Sequence, residues 1–117
     1  MKNIESWLNV NFESSCFLTP EFSSFARQFK AYVKKLCGSD FEIAGWSRGH
    51  FYLSGFLKNK KTNKLAYFST SDVRHSPGEW YKNLLVRTAE HEKDYRGGRN
   101  NWTTLPEIIK VAEKLTS

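Results

Sequence analysis

Residues 19–38 read TPEFSSFARQFKAYVKKLCG, and the run that follows, 40–71, reads DFEIAGWSRGHFYLSGFLKNKKTNKLAYFSTS. The first run predicts a helix, because its apolar side chains recur every three or four positions. Thr19 suits the N-cap, Pro20 suits the first helical position, and Gly38 can end the helix in a left-handed conformation. The apolar stripe comprises Phe22, Phe25, Phe29, Tyr32, Val33 and Leu36. This pattern predicts a helix that packs on a sheet and presents a basic outer face.

The second run alternates apolar and polar residues, which is typical of β-strands. Strands are predicted at 40–47, 50–58 and 64–71, and a fourth at 83–89. Residues 47–50 and 59–63 supply turns, and Asn63 is able to take a positive φ in the second of them. A turn at 76–78 precedes the fourth strand, and a polar loop from Glu90 to Trp102 follows it.

The two ends of the chain complete the predicted fold. The run Thr104-Leu105-Pro106-Glu107 has the pattern of a capping box at the start of a last helix. Residues 3–12 suit a short helix, although the alternation at their end also suits a strand. We therefore expect an α+β fold in which an antiparallel meander sheet of three to four strands carries an N-terminal and a C-terminal helix on one face. At this length the chain, 1–117, is expected to be a single globular domain.

The positive charge of the chain is concentrated in its middle. Residues 20–70 contain nine lysines and arginines and three acidic residues, so their excess of +6 equals the net charge of the whole protein. Aromatic residues make up 15% of the sequence, which is high for a chain of this size. Cations beside aromatic rings are typical of surfaces that bind nucleic acids, because the positive charges attract phosphates and the bases stack on the rings.

Strand periodicity divides the side chains of the expected sheet between two faces. The face toward the helices is predicted to hold Phe41, Ile43, Phe51, Leu53, Leu57, Leu84 and Val86. The second face is predicted to hold Trp46, Arg48, His50, Tyr52 and Phe56, with one or more of Tyr67, Ser69 and Arg87. If this second face is open, it forms a stacking platform with cations at its edges. The alternative is that residues 72–83 or 90–102 cover it and make a second small core.

Two further basic features complete the candidate site. Four lysines surround the 59–63 turn, where they suit either phosphate contacts or a solvated tip that keeps a sheet edge soluble. The run Arg96-Gly97-Gly98-Arg99 is predicted to be a cation-bearing loop, or simply a long turn before the last helix. The candidate nucleic-acid-binding residues are Trp46, Arg48, His50, Tyr52, Lys58, Lys60, Lys61, Lys64, Tyr67, Arg87, Arg96 and Arg99. Of these, Trp46, Tyr52 and Tyr67 are expected to stack on bases, and the cations to hold phosphates.

Other functional classes have weaker support in the sequence. Cys16 and Cys37 form neither a zinc-type spacing nor a disulfide framework, so we expect reduced thiols in a cytoplasmic protein. No signal peptide or membrane-spanning run is expected, and neither a metal site nor a cofactor is predicted. One cluster of histidines and acids, His75, Glu79, His91, Glu92 and Asp94, has the residue types of a metal-dependent nuclease. Its spacing matches no catalytic motif, and the expectation is therefore a protein without catalytic residues.

The sequence leads to two functional hypotheses. The first is a small basic binding module that engages nucleic acid, with single strands favoured over duplexes. The second is a protein-interaction or inhibitor module, from a mobile element or a phage, that uses the same aromatic face as an interface anchor. Salt distinguishes them, because phosphate contacts weaken steeply as salt rises while a hydrophobic interface changes little.

Overall fold

A computed structural model of the chain describes residues 4–9, 20–48, 52–70, 73, 78–94 and 98–117. Its helices are α1 (Pro20–Cys37), α2 (Glu79–Lys82) and α3 (Ile108–Thr116). Its strands are β1 (Phe41–Arg48), β2 (Leu53–Asn59), β3 (Leu65–Ser69), β4 (Leu84–Ala89) and β5 (Asn101–Thr103). Short 3-10 helices span Ile4–Trp7 and Leu105–Glu107.

The five strands of the described chain form one antiparallel sheet in the order β1-β2-β3-β4-β5. The α+β class and the meander topology are thereby confirmed, whereas the expected three to four strands were one too few. The additional strand, β5, lies at the end of the segment that was predicted to be a polar loop. With only three residues it has no readable periodicity, and its pairing with β4 gives it its extended conformation.

Helix α1 follows the predicted pattern. Phe22, Phe25, Phe29 and Val33 are fully buried on one side of the helix, and Lys30 and Lys34 are exposed. Gly38 ends the helix with φ of 56°, the left-handed conformation expected of it. The proposed N-cap, Thr19, lies outside the described residues.

The β2–β3 hairpin also has its predicted turn. Asn63 has φ of 62°, and its N–H donates to the Asn59 carbonyl at 2.7 Å. The Asn59 side chain donates to Thr116 Oγ1 at 3.1 Å, and the Thr62 hydroxyl donates to the Thr116 carbonyl at 2.7 Å. These bonds attach the hairpin tip to the end of α3, so the tip is held to the fold on one side.

The expected capping box at the last helix is wrong. Residues Leu105–Glu107 first form a 3-10 turn, in which the Glu107 N–H donates to the Thr104 carbonyl at 3.1 Å. The Thr104 side chain makes no capping hydrogen bond, and the Glu107 carboxylate lies 3.2 Å from Lys110 Nζ. Pro106 fits this first turn because an N–H at that position would have no partner within the helix.

One core lies between the helices and one face of the sheet. It joins α1 and α3 to the sheet through Leu53, Leu57, Phe68, Leu84 and Val86, which are all fully buried. Trp80 of α2 is also fully buried, with its ring centroid 4.8 Å from that of Phe25. Both helices lie on one face of the sheet, as predicted. No helix within the described ranges is both long and apolar enough to cross a membrane.

A β-bulge in β1 changes which face its later side chains occupy. Ile43 pairs with Leu57 and Gly45 pairs with Phe56, so Ala44 is an extra residue in β1. An extra residue reverses the alternation beyond it. The strands approach closely here, since a Cβ on Gly55 would lie 2.4 Å from the Gly45 carbonyl oxygen. Trp46 and Arg48 therefore point toward the helices, and their predicted assignment to the second face is wrong.

The second face holds a covered aromatic cluster. Phe56, Tyr67 and Arg87 are cross-strand neighbours, and Phe56 and Tyr67 are 2% and 7% exposed. Their ring centroids are 5.3 Å apart, and Arg87 Cζ lies 4.9 Å from the Tyr67 centroid. Glu92 and Lys93 line a cavity with Phe56, which places the segment after β4 beside this cluster. Of the two alternatives for the second face, the covered one therefore holds at Phe56 and Tyr67.

Candidate nucleic-acid interface

Trp46 lies at the boundary between the core and an open cavity. Its ring centroid is 6.1 Å from that of Phe29 and 6.0 Å from that of Phe68, so one side of the indole contacts the core. The side chain is only partly buried. An indole held on one side and open on the other is a suitable surface for a planar ligand.

A groove of about 550 Å³ runs between α1 and β1 and includes Trp46. Its lining residues are Lys30, Lys34, Cys37, Gly38, Phe41, Glu42, Ile43, Ala44, Gly45, Trp46 and Lys60. We call it the α1–β1 groove. This volume lies within the range of small-ligand sites, about 300–1,000 Å³. Because β1 is at the edge of the sheet, the groove lies along a strand that has a paired neighbour on one side only in the described chain.

Three lysines give the α1–β1 groove its charge. Lys30 and Lys34 are one helical turn apart on α1, and Lys60 follows β2 on the hairpin. The Lys30 ammonium lies 5.6 Å from the centroid of the Trp46 ring, within cation–π range. The groove has one acid, Glu42, whose carboxylate lies 4.0 Å from Lys58 Nζ. Cations therefore exceed acids around the indole.

The thiol of Cys37 adds no charge to the groove near neutral pH. Burial raises the pKa of Cys37 to about 11, and the positive charge of Lys60 opposes this effect only in part. A thiol is a nucleophile only as its thiolate, so Cys37 is not an activated residue. It forms part of the apolar wall of the groove.

The four lysines predicted around the hairpin turn lie in four different locations. Lys60 lines the α1–β1 groove, and Lys58 lies across from Glu42 on the second face. The Lys64 ammonium donates to the Ser117 carbonyl at 3.1 Å, at the end of α3. Lys61 is exposed at the tip. The four lysines thus form no continuous patch, and only Lys60 lines the α1–β1 groove, next to the start of β1.

The other predicted cations are distributed over both faces. Arg48 Nη1 donates to Ser23 Oγ at 3.0 Å, and its Cζ lies 5.2 Å from the Phe22 ring centroid, against α1. Arg87 lies over Tyr67 on the second face, and Arg99 is exposed before β5. His50 and Arg96 lie outside the described residues. Tyr52 is 40% exposed at the start of β2, away from the groove.

Two features of the surface were missed by the sequence analysis. Lys30 and Lys34 were recognised as a basic helix face but not as partners of Trp46, because only the bulge at Ala44 directs that ring toward α1. Trp102, at 63% exposure, is the most exposed large hydrophobic side chain of the described chain. Its polar neighbours Asn100, Asn101 and Thr103 were a signal for exposure, since a strand with polar residues on either side of a ring buries little.

The histidine and acid cluster is not assembled as a metal centre. The Glu90 N–H donates to Asp94 Oδ2 at 3.0 Å and the Lys93 N–H donates to His91 Nδ1 at 3.1 Å, so these side chains support their own turn. Glu79 accepts a hydrogen bond from Asn83 next to α2. His75 is outside the described residues, and the described residues contain no group of three or more potential metal ligands.

Comparison with known proteins gives no further guidance. No family model, no curated protein and no solved structure matches the chain.

Proposed function

We propose that the protein binds single-stranded nucleic acid in the α1–β1 groove and does not act on it catalytically. The observation that carries the proposal is a groove of about 550 Å³ that is lined by the partly exposed Trp46, with Lys30 over its ring, and also by Lys34 and Lys60. A ring for a base and cations for its phosphates are the two components of sequence-tolerant single-strand binding.

Stacking on Trp46 requires a base that is free of its neighbours. The indole contacts Phe29 and Phe68 on the core side, and a ligand reaches the ring from the groove. A base inside a duplex is stacked above and below and cannot enter such a site without unpairing. A base of a single strand has an exposed face, which is the reason for favouring single strands over duplexes.

The lysines of the groove are placed to bind the phosphates of that strand. Lys30 and Lys34 border one side of the groove and Lys60 the other, so a chain that lies along β1 passes between them. Lys30 contacts the ring in the unbound protein and is able to exchange that contact for a phosphate, since its side chain is exposed. These contacts depend on charge and not on base identity, and binding is therefore salt-sensitive.

The edge of β1 offers a further set of contacts. An edge strand presents backbone N–H and C=O groups outward, and base edges carry complementary acceptors and donors. Ala44 and Gly45, which line the groove at the bulge, have no bulky side chains to keep a base away. Such contacts orient a base that stacks on Trp46.

We assign the protein to the cytoplasm as part of the same proposal. Cys37 is a buried free cysteine with its pKa raised by burial, a state suited to a reducing compartment. Nucleic acid is also accessible there.

The test is binding of a fluorescently labelled oligothymidylate, measured by anisotropy at several salt concentrations. We expect affinity to fall by orders of magnitude between about 50 and about 200 mM salt. Lys34→Ala with Lys60→Ala should lower the slope of log K against log salt by roughly 0.7 for each lost contact. The matched control is Lys82→Ala with Lys110→Ala, which removes the same charge at two exposed positions outside the groove.

Two results would overturn the proposal. One is equal weakening by the two double variants, since general charge and not the groove would then account for binding. The other is a folded wild-type protein that binds neither DNA nor RNA oligonucleotides at low salt. The second result would favour the protein-interaction hypothesis.

A further inference from the structure

Trp102 is a second accessible ring, and the α1–β1 groove makes no use of it. It lies on β5, at the opposite edge of the sheet from β1, and is 63% exposed. Its cross-strand partner is Leu85, whose neighbours Leu84 and Val86 point into the core. Trp102 therefore points away from the helices, on the second face of the sheet.

The surroundings of Trp102 are polar and cationic. Arg99 and Asn100 are exposed on one side of it along the chain, and Thr104 is exposed on the other. A protein-interface anchor is normally surrounded by further apolar surface that is buried with it. Apart from its cross-strand partner Leu85, Trp102 has polar or charged neighbours along the chain, and such a ring near an arginine is more typical of a surface on which a base stacks.

The register of the sheet connects Trp102 to the groove. A row of cross-strand partners runs from Ser47, the residue after Trp46, through Ser54, Ser69 and Leu85 to Trp102. Four strand spacings of about 4.8 Å make the distance across the sheet roughly 19 Å. Lys93 is exposed along this route and lines a cavity of about 180 Å³ that also includes Trp46 and Ser47.

We propose that Trp102 and Arg99 form a second contact for the same single strand whose other part occupies the α1–β1 groove. This inference rests on the proposed function. The strand leaves the groove at the edge of β1, crosses the second face over Lys93, and stacks one base on Trp102. Glu92 lines the same cavity as Lys93, and Glu90 and Asp94 are further acids of the same segment. Once the groove is occupied, the second contact is intramolecular, and its effect appears only for strands long enough to reach it.

The consequence is a dependence of affinity on length. At about 3.4 Å or more per nucleotide, roughly six nucleotides span the sheet, and the route around the edge requires a few more. An oligothymidylate of about four nucleotides fills the groove alone, and one of about fifteen reaches both contacts. A longer strand can occupy the groove in more positions, which alone raises its apparent affinity. We expect its affinity to exceed that statistical increase.

The experiment compares the ratio of the two dissociation constants between variants. Trp102→Ala should reduce the advantage of the longer strand by about 5- to 150-fold, the range expected for loss of one stacked base, and leave the short strand within about twofold. Trp102→Phe should retain part of the advantage, and Trp102→Leu should not. Arg99→Ala should reduce the advantage of the longer strand more than Lys110→Ala does. Lys110 is an exposed charge on α3, and its substitution serves as the matched control.

Several outcomes would overturn this inference. An unchanged length advantage in Trp102→Ala removes Trp102 from the site while the groove proposal stands, provided that the short strand still binds. If Trp102→Ala weakens the binding of the short and the long oligonucleotide equally, Trp102 acts through the fold. Thermal unfolding of the same samples checks this. If Trp102→Leu binds as the wild type does, or if Trp102→Ala converts a dimer to a monomer in sedimentation, the ring is a protein anchor. If neither oligonucleotide binds the wild type, both proposals fail together.

Discussion

Trp46 and Phe56 lie on adjacent strands of the same sheet, yet their rings have opposite environments. Phe56 is 2% exposed and packs on Tyr67, with Glu92 and Lys93 nearby. Trp46 contacts the core with one side and borders a groove of about 550 Å³ with the other. The comparison teaches that aromatic content does not identify a binding surface. A ring with cations beside it becomes a candidate only when one side of it is left open.

The bulge at Ala44 produces this difference. With regular alternation from Ile43, Trp46 would share the second face with Phe56, where Phe56 and Tyr67 are covered. The extra residue directs the indole toward α1, where Lys30 approaches it. Phe56 is covered and stabilises the fold, whereas Trp46, because of the bulge, borders the groove.

The largest expected effect is a loss of stability when Phe56, the covered ring, is removed. Phe56→Ala should lower the free energy of unfolding by about 3–5 kcal/mol, because it empties a covered site between strands. Denaturant unfolding measures the loss, with Tyr52→Ala as the control for an aromatic side chain that is 40% exposed. A loss below about 1 kcal/mol would show that the second face is open after all.

The second prediction concerns binding at the other ring. Trp46→Ala should weaken oligonucleotide binding by at least about tenfold, the lower part of the range for one stacked base. Its cost in stability should be smaller than that of Phe56→Ala, since the indole is buried on one side only. Trp46→Phe keeps a stacking surface and should recover part of the affinity. Loss of stability without loss of affinity would place the ring in the core and outside the site.

Much of the fold follows from periodicity in the sequence. The stripe of α1, the left-handed Gly38 and Asn63, and the first four strands were all predicted, because each depends on local spacing or on a single residue's conformational freedom. The capping pattern at Thr104 failed, since the helix starts with a 3-10 turn in which the threonine side chain makes no capping hydrogen bond. Strand β5 was missed because its extended form depends on a distant strand.

The candidate site was less predictable for a related reason. Assigning rings to faces requires counting along a strand, and one bulged residue reverses every later assignment. The pair Ala44–Gly45 does not predict a bulge, because small residues are also common in regular strands that pack closely. Lys30 and Lys60 were visible as charges, but their placement along one groove with Trp46 depends on how a helix and a hairpin lie against β1.

The third prediction concerns pH and the apolar wall of the groove. Burial raises the pKa of Cys37 to about 11, so the folded state keeps its proton where the unfolded chain has already lost it. The stabilisation is complete below the ordinary thiol pKa of about 8.5 and is lost as the pH rises toward about 11. We expect wild-type stability to fall by about 1–2 kcal/mol more than that of Cys37→Ala over this interval. Parallel pH profiles for the two proteins, from denaturant unfolding, would show that the thiol is solvated.

The smallest effects come from two adjacent lysines that the structure separates. Lys60 lines the α1–β1 groove, and Lys61 is exposed on the same turn without lining it. Substituting either residue with alanine should change stability by no more than about 0.5 kcal/mol, since both side chains are at the surface. Lys60→Ala should lower the salt slope of oligonucleotide binding by roughly 0.7, and Lys61→Ala should leave it unchanged. The two variants have the same charge and differ by one position, so they control for each other in a single titration series. Equal slopes for the two would mean that the hairpin acts only through its overall charge, and the distinction between a groove and a basic surface would then disappear.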